Sequence, residues 1–467
     1  LGNGMYNVRG GRYIKFKGSF GPLKAICHLG LEYADGAVET VGTDGRWRTH
    51  PGPFTFSCVY GGEDCDARLE PRDWDRPGFD DSGWAVAQEV DGPGGTLKGL
   101  SCAAAPIRTF DVFEPVSVRP LRPGVAVYDL GQNASVIPRL TARGPTGSVV
   151  RITPAELLKD DGSVDRGSCG GGQAYWQYTL AGTGAETWFP KFFYHGSRYL
   201  QVECLPAEGQ DERPAIESLE GVVVHSSAPP VGEFACSNEL FNRIHTLIRW
   251  AQRSNMVSVM TDCPHREKLG WLEQYHLNGP SLRYEFDLMR LFAKGMNDMA
   301  DSQLDSGLVP DIAPEYVVFD GGFRDSPEWG SACVLVPWQQ YEWTGDTELL
   351  RRYYDNMVRY VAYLGSKAKD HIVSHGLGDW YDIGPNPLRA VDADPADCDR
   401  LLFLRRVDSL GDRNAVRQDR GRRTLSRAGR RNPACVQCGV LRRIGRTLCH
   451  RLAVRQRDRA GDGVGPA

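Results

Sequence analysis

The chain has 467 residues, of which 41% are hydrophobic, 24% charged and 10% aromatic, the composition of a globular protein of two or three domains. No apolar run approaches the ~18 residues that span a membrane, so no membrane partner is expected. The formal net charge of −4 joins two unlike parts: residues 388–467 hold 19 Arg and 9 Asp with no Lys or Glu, a balance of +10, which leaves 36 basic and 50 acidic residues, a balance of −14, in 1–387.

Leu1 opens no charged or apolar leader pattern, and a chain that begins at Leu is expected to have lost its true N-terminus. Thirteen cysteines are scattered without framework spacing, which favours reduced thiols and a cytoplasmic setting. Residues 1 to about 110 read as β-rich. Arg12-Tyr13-Ile14-Lys15-Phe16-Lys17 alternates like a strand, and Gly61 to Arg68 reads as an acidic, solvated hairpin end that orients Arg68. Trp74 and Trp84 flank Phe79-Asp80-Asp81-Ser82-Gly83 as sandwich aromatics.

Residues 111 to about 228 continue in strands. Val125 to Asn133 is read as a strand ending in a polar turn; Ser148 to Thr153 and Ser197 to Cys204 follow. Regular short strands with turns between them imply a second β-sandwich. Gly170-Gly171-Gly172 lacks the lysine and helix of a phosphate loop and reads as a flexible hairpin tip.

The pattern changes after Ala228-Pro229-Pro230. Ser237 or Asn238 can cap a helix whose Leu240, Ile244, Leu247 and Ile248 fall on one face. Further helices are expected over 281–302, 331–343 and 346–366, the last with Leu349, Leu350, Tyr353, Met357, Tyr360 and Leu364 aligned. Serial antiparallel helices with functional loops gathered at one end describe an (α/α) toroid over 229–387.

Three interhelical loops are dense in acids and aromatics: Asp262, Arg266, Glu267 and Trp271; Asp311, Asp325, Glu328 and Trp329; Asp379, Trp380 and Asp382. Cleaving a glycosidic bond needs one carboxyl group to protonate the leaving oxygen and another to activate water or attack carbon, with aromatics to stack on the sugar. His265, His276, His371 and His375 form no tight ligand set, and Cys435-Val-Gln-Cys438 has no second pair, so neither metal nor other cofactor is expected. No G-x-S-x-G elbow occurs.

From Leu388 onward Lys and Glu vanish together, and Phe403 is the single aromatic. An Arg-rich arm for nucleic acid is one reading. Out-of-frame translation of a GC-rich gene is the preferred one, since one permitted codon choice for Asp397 to Asp408, shifted by a nucleotide, spells a plausible helix. No nucleic-acid partner is expected.

Asp262-Cys263-Pro264-His265-Arg266-Glu267-Lys268-Leu269-Gly270-Trp271 resembles the signature of bacterial α-L-rhamnosidases of glycoside hydrolase family 78. The resemblance extends to Leu1 to Asn7, Tyr128 to Asn133, Tyr194 to Tyr199, Pro327 to Gly330 and Gly378 to Trp380. It implies accessory β-sandwich domains over 1–110 and 111–228 ahead of the (α/α)6 barrel, and inverting hydrolysis of terminal α-L-rhamnose. It makes Glu267 the general acid and places Asp262, Arg266 and Trp271 around the sugar. Asp325, Glu328, Trp329, Asp379 and Trp380 are the further expected substrate contacts. The commoner motif has one more residue between Arg and Glu, so Glu273 is the fallback acid. The family's water-activating Glu lies late in the barrel, and residues 388–467 contain no Glu. The chain as written is therefore expected not to turn over.

Overall fold

The computed structural model describes residues 1–8, 10–92, 94, 105–369 and 372–378. These form two compact units, Leu1–Leu269 and a second beginning at Gly270. The first is rich in sheet and the second is helical, the coarse architecture expected from the change of periodicity.

The first unit is built on one ten-stranded sheet. Its strands run in the order Phe54–Cys58, Gly62–Asp66, Tyr175–Thr179, Val149–Ala155, His195–Leu205, Val125–Arg143, Ala215–Ser226 and Ile107–Phe113, with Ser117–Arg122 and Ala185–Trp188 also paired to Val125–Arg143. Alternation sets the faces. Along Val149–Ala155, Val150, Ile152 and Pro154 point inward, and they meet Trp176, Leu200 and Val202 in the core. Val125–Arg143 does not stop at the polar turn anticipated near Asn133. It bulges between Asp129 and Ala134 and runs on for 19 residues.

Further sequence expectations fail in this unit. Gly61 to Arg68 is no solvated hairpin end: Gly62–Asp66 is a strand paired in parallel with Tyr175–Thr179, and fully buried Glu63 accepts hydrogen bonds from the amides of Lys191 and Phe192. Burial pushes Glu63 up to about 7 against those hydrogen bonds. The acidic run misleads because its charge is compensated by backbone donors more than 120 residues away, which no local pattern reveals. Asp66 does orient Arg68, through an ion pair of 2.7 Å. Residues 12–17 form no strand. Tyr13, Ile14 and Phe16 instead pack around Val8, Cys58 and Tyr60. The run Gly170-Gly171-Gly172 is not a loose tip, because the Tyr13 ring lies against it; a Cβ on Gly170 would sit 2.5 Å from that ring.

The helix Glu239–Ser254 begins where Asn238 accepts from the Leu240 amide at 3.0 Å. It lies on the sheet of the first unit through Trp250 against Phe113 and through Ser254, whose hydroxyl accepts from the Ser135 amide. Its predicted apolar face points the other way. Leu247 is 65% exposed, and Leu240, Ile244 and Ile248 are exposed with it. Periodicity finds a face but not what covers it.

In the second unit, 281–302 is two helices, Gly279–Glu285 and Met289–Ser302, the second started by Asp287 accepting from the Met289 amide at 3.0 Å. Ala332–Thr344 follows with Pro337 inside it. The stretch 346–366 breaks at Tyr353 into Glu348–Arg352 and Tyr354–Lys367, yet all six of its predicted core residues are buried. No described helix is long and apolar enough to cross a membrane. The eight described cysteines are all free. Asp379, Trp380, His371 and the Arg-rich tail lie outside the described residues.

Candidate active site

The loop carrying Asp262, Arg266 and Glu267 leaves a two-stranded turn, Met256–Val257 paired with Val259–Met260. It closes at Lys268, whose φ of 52° lies in the left-handed region that a non-glycine residue adopts only under constraint. The constraint is visible. Lys268 is 3% exposed, and its ammonium donates to the carbonyls of Val59 and Tyr194 at 2.6 Å each, over the rings of Phe193 and Tyr194. Burial pulls its pKa down to about 7.

Four further anchors hold the loop. Tyr60 donates to the Glu267 carbonyl at 2.6 Å and Tyr13 to the Arg266 carbonyl at 2.9 Å. His265 accepts the Arg266 amide at Nδ1, so its Nε2 carries the proton and faces Glu156 at 3.3 Å. Burial raises Glu156, but hydrogen bonds from His265 and Asn133 outweigh it and hold the carboxyl down at about 2. Gly196 donates its amide to the Pro264 carbonyl at 3.1 Å; a Cβ there would lie 2.3 Å from Pro264, so only glycine allows this approach.

On this frame the two carboxyl groups differ. Asp262 is pushed up to about 7, by burial first and then by the negative charge of Glu267. Glu267 is ion-paired, Oε1 lying 2.8 Å from Lys15 Nζ. Arg266 is exposed, with Nη1 on the Ser168 carbonyl at 2.8 Å. Two carboxyl groups held in unlike surroundings are what acid–base chemistry draws on. Sequence reasoning missed Lys15, Tyr13, Tyr60, Glu156 and Lys268. Only Lys268, inside the motif, carried a local signal.

The second unit gathers another set. An isolated bridge joins Trp271 to Ile312; the Leu272 amide donates to the Asp311 carbonyl and the Ala313 amide to the Gly270 carbonyl. Trp271 stacks on Phe319 at 5.6 Å and meets Trp329 edge-on at 6.5 Å. Asp311 is fully buried, and its Oδ1 accepts from the Ser326 amide at 2.9 Å. Burial pushes Asp311 up to about 8 despite that hydrogen bond, aided by the charges of Asp325 and Glu328. Asp325 goes the other way: burial is outweighed by His375 at 3.0 Å and by the Tyr363 hydroxyl, which hold it below the usual range. Trp271, Asp325, Glu328 and Trp329 therefore belong to one neighbourhood, with Asp311, Phe319, Tyr363 and His375 as additions. Glu273 opens the short helix Glu273–His276, with Oε1 accepting from Gln274 at 2.8 Å.

Among the described residues the one cluster with metal-ligand character is Glu156, Cys169 and His265. Its donors are already engaged: Glu156 by Asn133 and His265, and His265 Nδ1 by the Arg266 amide. That arrangement fits a structural hub better than an ion site.

Comparison with known proteins gives the same order of parts. The profile of the α-L-rhamnosidase N-terminal domain matches residues 1–110, that of the bacterial α-L-rhamnosidase concanavalin-like domain 119–225, and that of the bacterial α-L-rhamnosidase 6 hairpin glycosidase domain 229–397. An α-L-rhamnosidase of Streptomyces avermitilis is 34% identical over 397 residues, 80% of this chain and 36% of the relative. One from Formosa agariphila is 32% identical over 85% of this chain and 43% of the relative. The solved α-L-rhamnosidase from Dictyoglumus thermophilum superposes with a TM-score of 0.74 at 34% identity, over 82% of this chain and 42% of that one. The Streptomyces avermitilis enzyme complexed with L-rhamnose gives 0.73 at 32%, over 81% of this chain and 36% of that one. The chain thus spans less than half the length of these relatives. With all three profiles matched in sequence order and α-L-rhamnosidases similar to it in both sequence and structure, the chain belongs to the bacterial α-L-rhamnosidase family.

Proposed function

We propose that the protein to which this chain belongs hydrolyses terminal, non-reducing α-L-rhamnose from glycosides or polysaccharides with inversion. Glu267 is the proton donor of that reaction. Asp262 and Arg266 in the first unit, and Trp271, Asp325, Glu328 and Trp329 in the second, are sugar contacts. Asp379 and Trp380 join them from outside the described residues. The domains of the proposal are two accessory β-sandwich domains, 1–110 and 111–228, and part of an (α/α)6 barrel over 229–387.

One observation supports the reading: the signature that names the family carries two carboxyl groups in unlike surroundings, Asp262 raised by burial and Glu267 paired with Lys15 at 2.8 Å. Inversion adds a requirement, a second carboxylate ~6.5–9.5 Å from the acid to activate water. Residues 388–467 contain no Glu, so the accompanying proposal for this chain is sugar binding without turnover.

Calorimetric titration with L-rhamnose, run beside assays of an aryl α-L-rhamnoside, tests both parts. Binding of L-rhamnose in preference to other hexoses is expected, with no aglycone released. Preference for a different sugar would point to another inverting glycosidase on the same scaffold. Turnover by the purified chain would overturn the second part.

A further inference from the structure

The two carboxyl groups of the signature loop, Asp262 and Glu267, have unequal surroundings. Glu267 is in contact with a cation, Lys15 Nζ at 2.8 Å. Asp262 has a buried Oδ1 with no hydrogen-bond partner among the described residues, and hydrogen bonds from Cys263 to its carboxyl only partly offset the burial. Lys15 comes from residues 12–17, 252 positions away in sequence, and that segment is fixed against the loop. Tyr13 donates to the Arg266 carbonyl, and Tyr60, against which Tyr13 and Phe16 pack, donates to the Glu267 carbonyl.

We propose that Lys15 is a positioning residue for the acid of the reaction: in the resting protein it fixes the negative charge of the pair on Glu267 and leaves the shared proton on Asp262. This deepens the reading of Glu267 as donor and rests on it. The physics is a comparison of two sites. A carboxylate beside an ammonium is favoured in its charged form, whereas a buried oxygen with no donor is favoured neutral. The other titratable groups facing the pair from the first unit do not reverse this order. The Cys263 thiol is pushed up to about 11 by burial and by Asp262, and Tyr13 and Tyr60 are raised by burial, so all three are neutral at neutral pH. Arg266 directs Nη1 to the Ser168 carbonyl.

A consequence follows for the chemistry. Before Glu267 can protonate a leaving oxygen, the proton must pass to it. Asp262 gives up its proton and is left as the carboxylate, Glu267 gains one, and the Lys15 contact weakens. The N-terminal segment then supplies a working group to the reaction.

The full chain labelled with ¹³C at the Asp and Glu carboxyl carbons reads this directly, the two resonances being assigned as those missing from E267Q and D262N. In the wild type, Glu267 should titrate below Asp262. In K15M the Glu267 midpoint should rise by about one pH unit or more and the Asp262 midpoint should fall, while K15R keeps the wild-type values. K15Q replaces K15M if the latter does not fold. An unchanged Glu267 midpoint in K15M, or an equal displacement in K15R, overturns the proposal. L-rhamnose titrated into the same samples separates the two readings. Loss of the Lys15 effect with rhamnose binding intact removes the proposal alone, and a Lys15 effect without rhamnose binding removes the rhamnosidase reading alone.

Discussion

Single residues in the loop act mostly through the backbone. Tyr60 gives its hydroxyl to the Glu267 carbonyl, so Tyr60→Phe should cost about 1 kcal/mol and speed amide exchange across 262–268, measured by hydrogen–deuterium exchange. Lys268 satisfies two carbonyls at once; Lys268→Met should therefore cost more than Tyr60→Phe in chemical denaturation, because two buried acceptors lose their donor. Asp311 gives a prediction with a pH sign. Its folded pKa of about 8 lies above the ordinary value, so the folded state keeps a proton that the unfolded state has released. The stability this confers is complete below about pH 4 and is lost as pH rises through 8. Asp311→Asn preserves the acceptor for the Ser326 amide and removes the titration. Relative to wild type, the variant should gain about 2 kcal/mol or more between pH 5 and pH 8.5, since one pKa unit is worth about 1.4 kcal/mol. Equal pH slopes for the two proteins in denaturant titrations would show that Asp311 is not the neutral acid described.

At the scale of elements, what could be read from the sequence depended on how local its cause was. The core of 346–366 was legible to the residue because a helix writes its buried face at fixed spacing, and Met357 and Tyr360 are buried as expected. The face of Glu239–Ser254 was equally legible as a pattern and misleading as a location. Two substitutions separate the cases: Met357→Ala should cost about 2–5 kcal/mol, whereas Leu247→Glu should change stability by less than about 0.5 kcal/mol, both from denaturant midpoints. The signature loop was legible as a motif, and its contacts were not. Nothing in Arg12-Tyr13-Ile14-Lys15 announces that Tyr13 presses on Gly170 or that Lys15 meets Glu267, because both depend on chain closure over more than 150 residues. Gly196 shows the same limit. Gly196→Ala should lower the melting temperature through its clash with Pro264, an overpacking cost of about 1–3 kcal/mol, although the sequence offers only a glycine in a strand.

For the molecule as a whole, the two periodicities divided the chain into a sheet-rich and a helical part, as the structure does coarsely. The contact boundary falls between Leu269 and Gly270, inside the signature, and Glu239–Ser254 packs with the sheet. The motif thus supplies Asp262, Arg266 and Glu267 to one unit and Trp271 to the other. Binding without turnover is expected of the whole chain, since residues 388–467 offer no Glu as the water-activating base. Resequencing the gene around the Asn386 codon checks its premise: a restored frame should bring back Lys, Glu and aromatics after Leu388.

The parallel pairing of Gly62–Asp66 with Tyr175–Thr179 has a practical meaning for chimeras. Residues 1–66 cannot be treated as a detachable cassette. Exchanging them for the corresponding stretch of a relative strips two strands from the long sheet and removes Tyr13, Lys15, Val59 and Tyr60 together. A graft that keeps its host's signature loop must therefore import those four positions as a matched set.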